Sequence, residues 1–228
     1  MNVEQTPEGQ SLERRAATHA ALGDPTRLRI VDVLAVGDVS ASELGSALEV
    51  PSNLLAHHLR TLEAAGLVVR RRSEGDARRS YLSLVREALP ADVAGVGLPV
   101  PGRVLFVCTA NTARSHLAAA LWRRESRIEA GSAGTHPGER IHPGAVETAQ
   151  RHALPLRRTR PRLLDDELRE GDHVITVCDR AHEELAGHGW THWSIPDPVA
   201  VGSQSAFDAA CDELAPRIAS LAAHLRSA

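Results

Sequence analysis

Residues 103–115 read RVLFVCTANTARS, and this stretch decides how the second half of the chain folds. The apolar run from Arg103 to Val107 predicts a short buried strand. A loop begins at Cys108, and the helical pattern HLAAALWRRE starts directly after Ser115. A strand, a loop and a helix in this order direct backbone N–H groups and the helix N-terminus at one point, which predicts an anion site.

The loop also carries the side chains that oxyanion chemistry needs. Five residues separate Cys108 from Arg114, so a curled loop brings a sulfur and a guanidinium to the same anion. The guanidinium binds two oxygens, and the positive field favours the nucleophilic thiolate. Ser115 can donate a hydrogen bond to that sulfur, and Asn111 tolerates the left-handed backbone of a tight bend. The predicted oxyanion loop comprises Thr109, Ala110, Asn111, Thr112, Ala113 and Ser115.

Such a cysteine–arginine spacing is a weak signal alone, because a buried structural cysteine is the usual alternative. The position at the end of a strand and the start of a helix makes it specific. Beyond residue 102, short Val/Ile-rich runs alternate with helical stretches, which predicts a parallel α/β sheet. The Pro- and Gly-containing segment EALPADVAGVGLPVPG precedes it and indicates a linker. We therefore predict a mainly helical first domain with a hairpin at 1–87, a linker at 88–101 and an α/β domain at 102–228.

The first domain shows a helical pattern that ends in a hairpin. Asp24-Pro25 predicts the start of a helix that Gly37 ends, and a second helix is expected at Ser40–Leu48 with Ser40 or Ser42 as its cap. A third helix follows the turn EVPSN and runs to Gly66. The apolar positions that recur at helical spacing in the first and third of these helices are Leu28, Val31, Leu34, Leu55, Leu59 and Leu62.

The third helix and the hairpin carry the candidate DNA contacts. Polar side chains on the opposite face of the helix can reach base edges or phosphates from a major groove; they are Ser52, Asn53, His57 and Arg60. The strands of the hairpin are predicted at Leu67–Arg72 and Ser80–Leu84, joined by the turn SEGDA. The hairpin has a local positive excess suited to a phosphate backbone, from Arg70, Arg71, Arg72, Arg78 and Arg79.

The stretches LGDPTRLRIVDVLA and VPSNLLAHHLRTLEAAGLVVRRRSEGDARRSYL resemble the arsenic- and metal-responsive winged-helix repressors over about residues 12–85. The resemblance implies a double-stranded DNA operator and a homodimer. Many arsenic-sensing members have a cysteine pair before the recognition helix, whereas this chain has VSASEL there, with Ser40 and Ser42. Because a soft arsenic ion needs thiolates, the inducer must act elsewhere.

From Arg103 onward the chain resembles the low-molecular-weight phosphotyrosine phosphatase fold and the arsenate reductases that share its loop. The motifs are VLFVCTANTARSHLAAAL, AGSAGTHPGERIHPGAVE, DHVITVCDRAHEE and HWSIPDPVAVGSQSAFDAACDEL. The resemblance implies that Asp197 is a general acid and that Cys178 is the resolving cysteine. Cys178 follows a predicted parallel strand, which places it on the same rim as the Cys108 loop.

Two observations favour an inorganic oxyanion, arsenate or phosphate, over a phosphotyrosine. Val199 and Ala200 follow the Asp-Pro motif where the phosphatases have aromatic residues, and the whole chain has three Trp, one Tyr and two Phe. Those reductases use a third cysteine, a few residues after the second, to carry the disulfide to the surface, and this sequence has none in that region. Cys211 is a poor substitute, because it falls on an apolar stripe of the last helix. The stripe comprises Phe207, Cys211, Leu214, Ile218, Leu221 and Leu225. An external reductant, thioredoxin or a small thiol, is therefore expected.

These features predict an arsenate reductase joined to a transcriptional repressor. The alternatives are a phosphatase joined to a regulator, a sensor in which Cys108 and Cys178 bind arsenic or an oxidant to release DNA, and an inactive first domain used only to dimerise. Cys178 could also be an ordinary buried residue of a core strand. No metal site or tightly bound cofactor is expected, and without an export signal or apolar span the chain is expected in the cytoplasm, away from membranes.

Overall fold

The structure is a computed structural model that describes residues 12–90, 102–157, 160–186 and 191–226. The predicted linker therefore lies largely outside the described residues. Helices predominate before it, together with a small antiparallel sheet. The elements are α1 (Leu12–Leu22), α2 (Pro25–Val36), β1 (Val39–Ser40), α3 (Ala41–Leu48), α4 (Ser52–Ala64), β2 (Val68–Arg72) and β3 (Ser80–Leu84), then a 3-10 turn at Arg86–Ala88.

Helices α2 and α3 begin at the residues whose chemistry predicts it. The Asp24 side chain accepts a hydrogen bond from the backbone N–H of Arg27 at 3.0 Å, and Pro25 occupies the first turn of α2. Ser40 and Glu43 form a capping box, in which each side chain accepts from the backbone N–H of the other, at 3.3 and 2.8 Å. These contacts satisfy N–H groups that a helix start otherwise leaves unpaired.

The core of the first half forms between these helices and the hairpin. Ile30, Leu34, Leu59 and Leu82 are fully or almost fully buried within it. Of the three apolar residues that recur at helical spacing in α2, Val31 and Leu34 are buried, whereas the Leu28 side chain is 39% exposed. Ile30, two residues after Leu28, is fully buried and belongs to the apolar face of α2.

Strands β2 and β3 form the predicted antiparallel hairpin, with the register Val68↔Leu84 to Arg72↔Ser80. Strand β1 pairs with the other edge of β3. We call residues 73–79, which join the two strands of the hairpin, the wing turn.

The second half is an α/β unit. Its elements are β4 (Arg103–Cys108), α5 (Arg114–Glu125), β5 (Glu129–Gly134), α6 (Pro143–Arg151), α7 (Leu164–Glu167), β6 (Asp172–Thr176), α8 (Asp179–Glu184), β7 (Thr191–His192), α9 (Pro198–Val201) and α10 (Gln204–Arg226). Among the described residues the sheet has four strands in the order β5-β4-β6-β7, and every pairing is parallel. This confirms the predicted parallel α/β sheet.

Strand β4 is buried at every position, as expected for a central parallel strand covered on both faces. Helices α5 and α10 pack against each other. The apolar stripe predicted on α10, including Cys211, lies in the core.

The two halves are joined by buried polar contacts. The Arg217 guanidinium donates to both carboxylate oxygens of Asp38 at 2.8 Å. Asp38 also accepts from the backbone N–H of Ser194 at 2.7 Å, and the Trp193 indole donates to the carbonyl of Val36 at 3.1 Å. Because an unpaired charge is costly to bury, these contacts hold the end of α2 against α10 and the segment before α9.

Candidate active site

The Cys108 loop lies at the carboxyl end of β4, between β5 and β6 of the sheet. Residues 135–142 fix its backbone: their N–H groups donate to the carbonyls of Cys108, Thr109, Ala110 and Thr112 at 2.8–3.2 Å. Gly134 permits this close approach, because a Cβ there would lie 2.6 Å from the carbonyl oxygen of Thr109. The loop is thus held by main-chain contacts on the β5 side.

Asn111 forms the bend of the loop. Its backbone has φ 49°, the left-handed conformation expected from its residue type, and the residue is fully buried. Its side-chain amide donates to Ser115 Oγ at 2.8 Å, and its side-chain oxygen accepts from the N–H of Arg162 at 2.9 Å. Asn111 therefore ties the loop both to the start of α5 and to the neighbouring chain segment.

The Cys108 sulfur is held by two groups of its own loop. The backbone N–H of Asn111 donates to Sγ at 3.2 Å, and Ser115 Oγ lies 3.1 Å from it. Because Ser115 Oγ already accepts from Asn111, its own hydrogen is available for the sulfur. The α5 N-terminus begins directly beyond, at Arg114, and adds its positive end. This arrangement suits a sulfur that carries negative charge.

Arg114 is buried and faces several negative groups. Nη1 donates to the carbonyl of Ile195 at 2.9 Å and to the Glu74 carboxylate at 3.3 Å, and Nη2 lies 3.1 Å from Asp197 Oδ2. Burial opposes its charge, but Cys178, Cys108, Asp197 and Glu74 outweigh burial and raise the pKa of Arg114. The guanidinium is therefore a permanent positive group at this site.

The Cys178 sulfur lies against the same loop, although the residue comes from the segment after β6. It accepts from the backbone N–H of Thr109 at 3.2 Å and from that of Ala181 at 3.5 Å. Burial raises the pKa of Cys178; the nearby Cys108 adds to this, and Arg114 opposes it. The expectation that Cys178 lies on the rim of the Cys108 loop agrees with this geometry; its resolving role stays a prediction.

Asp197 caps the short helix α9, accepting from the N–H of Val199 at 3.1 Å. Together with Arg114 it borders a cavity of about 440 Å³ that opens onto Cys108. No aromatic side chain is among the described residues that line this cavity, and Val199 and Ala200 occupy its entrance. The described lining therefore offers no aromatic ring on which a substrate ring could stack.

Glu74 is the site residue that the sequence did not reveal. It belongs to the wing turn of the first half, yet it lines the cavity and contacts Arg114. The turn SEGDA has the composition of an exposed hairpin turn, so no local signal marks Glu74 as part of an active site.

The candidate DNA contacts divide into two groups. The four polar residues predicted on α4 are exposed: Ser52, Asn53, His57 and Arg60. Four arginines of the hairpin are also exposed: Arg70, Arg72, Arg78 and Arg79. Arg71 differs, because it is half-buried and donates to Glu213 at 2.7 Å and to the carbonyl of Ser194 at 3.1 Å. In this structure Arg71 holds the hairpin against the second half instead of facing outward.

Within the described part of the chain, no group of three or more His, Cys, Asp or Glu side chains is arranged to hold a metal ion. The helices in the same residues include none with the length and apolarity needed to cross a membrane.

A cysteine–arginine loop between a parallel strand and a helix, with an aspartate at its entrance, defines a phosphatase-fold domain, and here a helix-turn-helix domain precedes it. Residues 103–228 match the family model described as low molecular weight phosphotyrosine protein phosphatase, and the chain belongs to this family. Residues 22–71 match a helix-turn-helix domain model.

Two curated proteins illustrate the two halves. A protein named "Putative arsenate reductase" from Halobacterium salinarum is 29% identical over 102 residues, which cover 41% of this chain and 72% of that protein. A "Transcriptional repressor SmtB homolog" from Synechocystis is 36% identical over 81 residues. That match covers 34% of this chain and 59% of the repressor, less than two thirds of its length.

Solved structures of both enzyme types resemble the second half. An arsenate reductase from Archaeoglobus fulgidus is 26% identical, with a TM-score of 0.45, and the match covers 53% of this chain and 98% of that chain. The YwlE arginine phosphatase from Geobacillus stearothermophilus is 28% identical, with a TM-score of 0.45, and the match covers 56% and 94%.

Proposed function

We propose that the chain is a DNA-binding repressor joined to an arsenate reductase, with Cys108 as the nucleophile. The observation that carries this proposal is the position of the Cys178 sulfur on the N–H of Thr109, the residue directly after Cys108. Hydrolysis of a phosphate ester needs no second cysteine in that place, whereas reduction of arsenate needs an electron donor beside the nucleophile. The relative from Halobacterium salinarum, named for this activity, supports the same choice.

In the first step the Cys108 thiolate attacks arsenic, and a sulfur–arsenic bond forms. The loop N–H groups and Arg114 hold the remaining oxygens, as charge-assisted donors suited to an oxyanion. Asp197 lies at the entrance beside Arg114, where a protonated carboxyl can give its proton to the departing hydroxyl. The arsenic–oxygen bond breaks, and the oxygen leaves as water.

In the second step the Cys178 thiolate attacks the Cys108 sulfur. A disulfide forms, the sulfur–arsenic bond breaks, and its electron pair stays on arsenic. Arsenic(V) becomes arsenic(III) and leaves as arsenite, while the two cysteines together lose two electrons. Cys178 releases its thiol proton to water before the attack, because only the thiolate is nucleophilic.

An external thiol then returns the disulfide to two thiols. Cys211 is unsuited to this step, because it is buried on α10 and burial raises its pKa to about 11. The sequence contains no further cysteine, so the reductant attacks the Cys108–Cys178 disulfide directly. Thioredoxin or a small thiol can fill this role.

The test is mass spectrometry of the full chain after exposure to arsenate without a reductant. We expect a Cys108–Cys178 disulfide and one arsenite per chain. Cys211→Ser is the matched control and retains both, whereas Cys178→Ser loses both. Aryl phosphate hydrolysis without any arsenate-dependent disulfide would identify the second half as a phosphatase and overturn the proposal.

For the first half we propose that α4 and the hairpin bind double-stranded DNA. The exposed polar face of α4 and the exposed arginines of the hairpin support this. Binding to the chain's own promoter should weaken steeply with salt, because phosphate contacts release counterions. Arg60→Ala should reduce the affinity, and binding that is insensitive to both salt and this substitution would refute the assignment.

A further inference from the structure

The wing turn docks on helix α8 of the second half. The Glu183 carboxylate accepts from Ser73 Oγ at 2.7 Å, from the N–H of Asp76 at 2.6 Å and from the Tyr81 hydroxyl at 3.1 Å. Asp179, the first residue of α8, accepts from the N–H of Glu74 at 2.8 Å. Four donors of the hairpin thus converge on two carboxylates of one helix.

Gly75 makes this approach possible. A Cβ at position 75 would overlap the Glu183 carboxylate and would lie 3.1 Å from the Cα of Arg180. The wing turn and α8 are therefore in backbone contact at this point.

Docking places the Glu74 carboxylate in the anion site. Oε2 accepts from Arg114 at 3.3 Å, and Oε1 accepts from the backbone N–H of Asp197 at 3.0 Å. The same cavity is lined by Cys108 and the loop residues. A carboxylate presents two oxygens with shared negative charge, as one edge of a tetrahedral oxyanion does, and a guanidinium binds both in the same way.

We propose that Glu74 is an internal competitor for the oxyanion site, so that docking of the wing turn and binding of a tetrahedral oxyanion weaken each other. The inference rests on the proposed oxyanion-binding role of the Cys108 loop. An oxyanion at Cys108 needs the Arg114 group that Glu74 contacts, and its negative charge repels the carboxylate. Reciprocity then requires that the oxyanion weakens docking as much as docking weakens oxyanion binding.

Glu74→Gln tests the competition, because it removes the charge and keeps the shape of the side chain. Glu63→Gln is the matched control: Glu63 is an acid of the first half that pairs with Arg70 and lies outside the cavity. Calorimetric titration of the full chain with inorganic phosphate should show roughly two- to fivefold tighter binding in Glu74→Gln, the size typical of a partly exposed charge pair. Glu63→Gln should bind as the wild type does.

Hydrogen exchange at the backbone amides of Glu74 and Asp76 supplies a second readout. Phosphate should accelerate exchange at both amides in the wild type, because they lose their acceptors on α8 when the wing turn leaves.

Suppose that the wild type binds phosphate. If Glu74→Gln then binds it equally or more weakly, or if exchange at the two amides is unchanged, the competition is refuted, but the oxyanion site is not. If neither the wild type nor Glu74→Gln binds phosphate, the oxyanion site itself is refuted, and the proposed function falls with it.

Discussion

Substitution of Asn111 by alanine tests whether the bend of the Cys108 loop is as constrained as the structure indicates. The substitution keeps the backbone N–H that donates to the Cys108 sulfur. It removes the side-chain bonds to Ser115 and to the N–H of Arg162, and it places alanine at φ 49°. Any effect on the sulfur must therefore come through the conformation of the loop or through the Ser115 hydroxyl that Asn111 orients.

Two contributions set the expected loss of stability. The partly buried N–H of Arg162 loses its acceptor, which costs about 1–3 kcal/mol, and a left-handed alanine costs about 1–2 kcal/mol. Together they predict a decrease of roughly 2–5 kcal/mol in the free energy of unfolding, less where water reaches the freed amide. Asn111→Gly removes the strain but not the lost bonds, so it should recover about 1 kcal/mol of that decrease.

Urea unfolding followed by tryptophan fluorescence measures the stability, because every tryptophan follows residue 102. Alkylation of Cys108 by iodoacetamide at neutral pH, with and without phosphate, measures the loop. We expect slower alkylation and weaker protection in Asn111→Ala, while Asn53→Ala on the exposed face of α4 stays within about 0.5 kcal/mol of the wild type. A loss below about 0.5 kcal/mol with unchanged alkylation would refute the reasoning.

Three further predictions concern other parts of the molecule. Cys178→Ser should abolish steady-state arsenate reduction with thioredoxin while Cys211→Ser retains it; equal rates in both would exclude a resolving role. Asp38→Ala should lower the free energy of unfolding by roughly 3 kcal/mol, the lower end for breaking a buried pair, because Arg217 loses its main partner and keeps only Glu213 at 3.3 Å; urea titration measures this, and a loss under about 1 kcal/mol would contradict the buried pair. Burial lowers the pKa of His116 and of His182 to about 4, so the unfolded chain binds more protons below about pH 6.5, and stability should fall from there towards pH 4. Urea midpoints at pH 7 and pH 5 measure this fall. It should be smaller in the variant that combines His116→Gln with His182→Gln.

The parts of the structure that the sequence predicted are those set by local physics. The strand, loop and helix around Cys108 follow from an apolar run, a loop and a helical pattern in adjacent segments. The cap of α3 at Ser40 and the left-handed Asn111 depend on residue type at a single turn. Each requires only neighbours a few positions apart.

The parts that the sequence did not predict depend on how the two halves meet. The positive charge of the hairpin predicts that Arg71 contacts DNA. In the structure its guanidinium donates to Glu213 on α10, a contact that the hairpin sequence does not indicate. The residue type and the turn position of Glu74 do not distinguish it from any other acid in an exposed turn. Only the contact between the wing turn and α8 brings it to the site. No periodicity or composition encodes a contact between residues more than a hundred positions apart.

The same contacts connect the chemistry of the site to the proposed DNA surface. The hairpin is held in one orientation by Arg71 at its strand and by the wing turn at its tip. Its other arginines stay exposed in this docked state, so docking orders them for DNA without covering them. On the proposed competition, an oxyanion that displaces Glu74 loosens the tip, although Glu183 and Asp179 still accept from it. DNA binding must then order the hairpin more fully, at a cost in conformational entropy. An oxyanion can shift the equilibrium between the docked and undocked hairpin only by the difference in its affinity for the two states. Occupancy of the enzyme site is therefore expected to lower DNA affinity by no more than the factor by which Glu74 weakens oxyanion binding at Arg114.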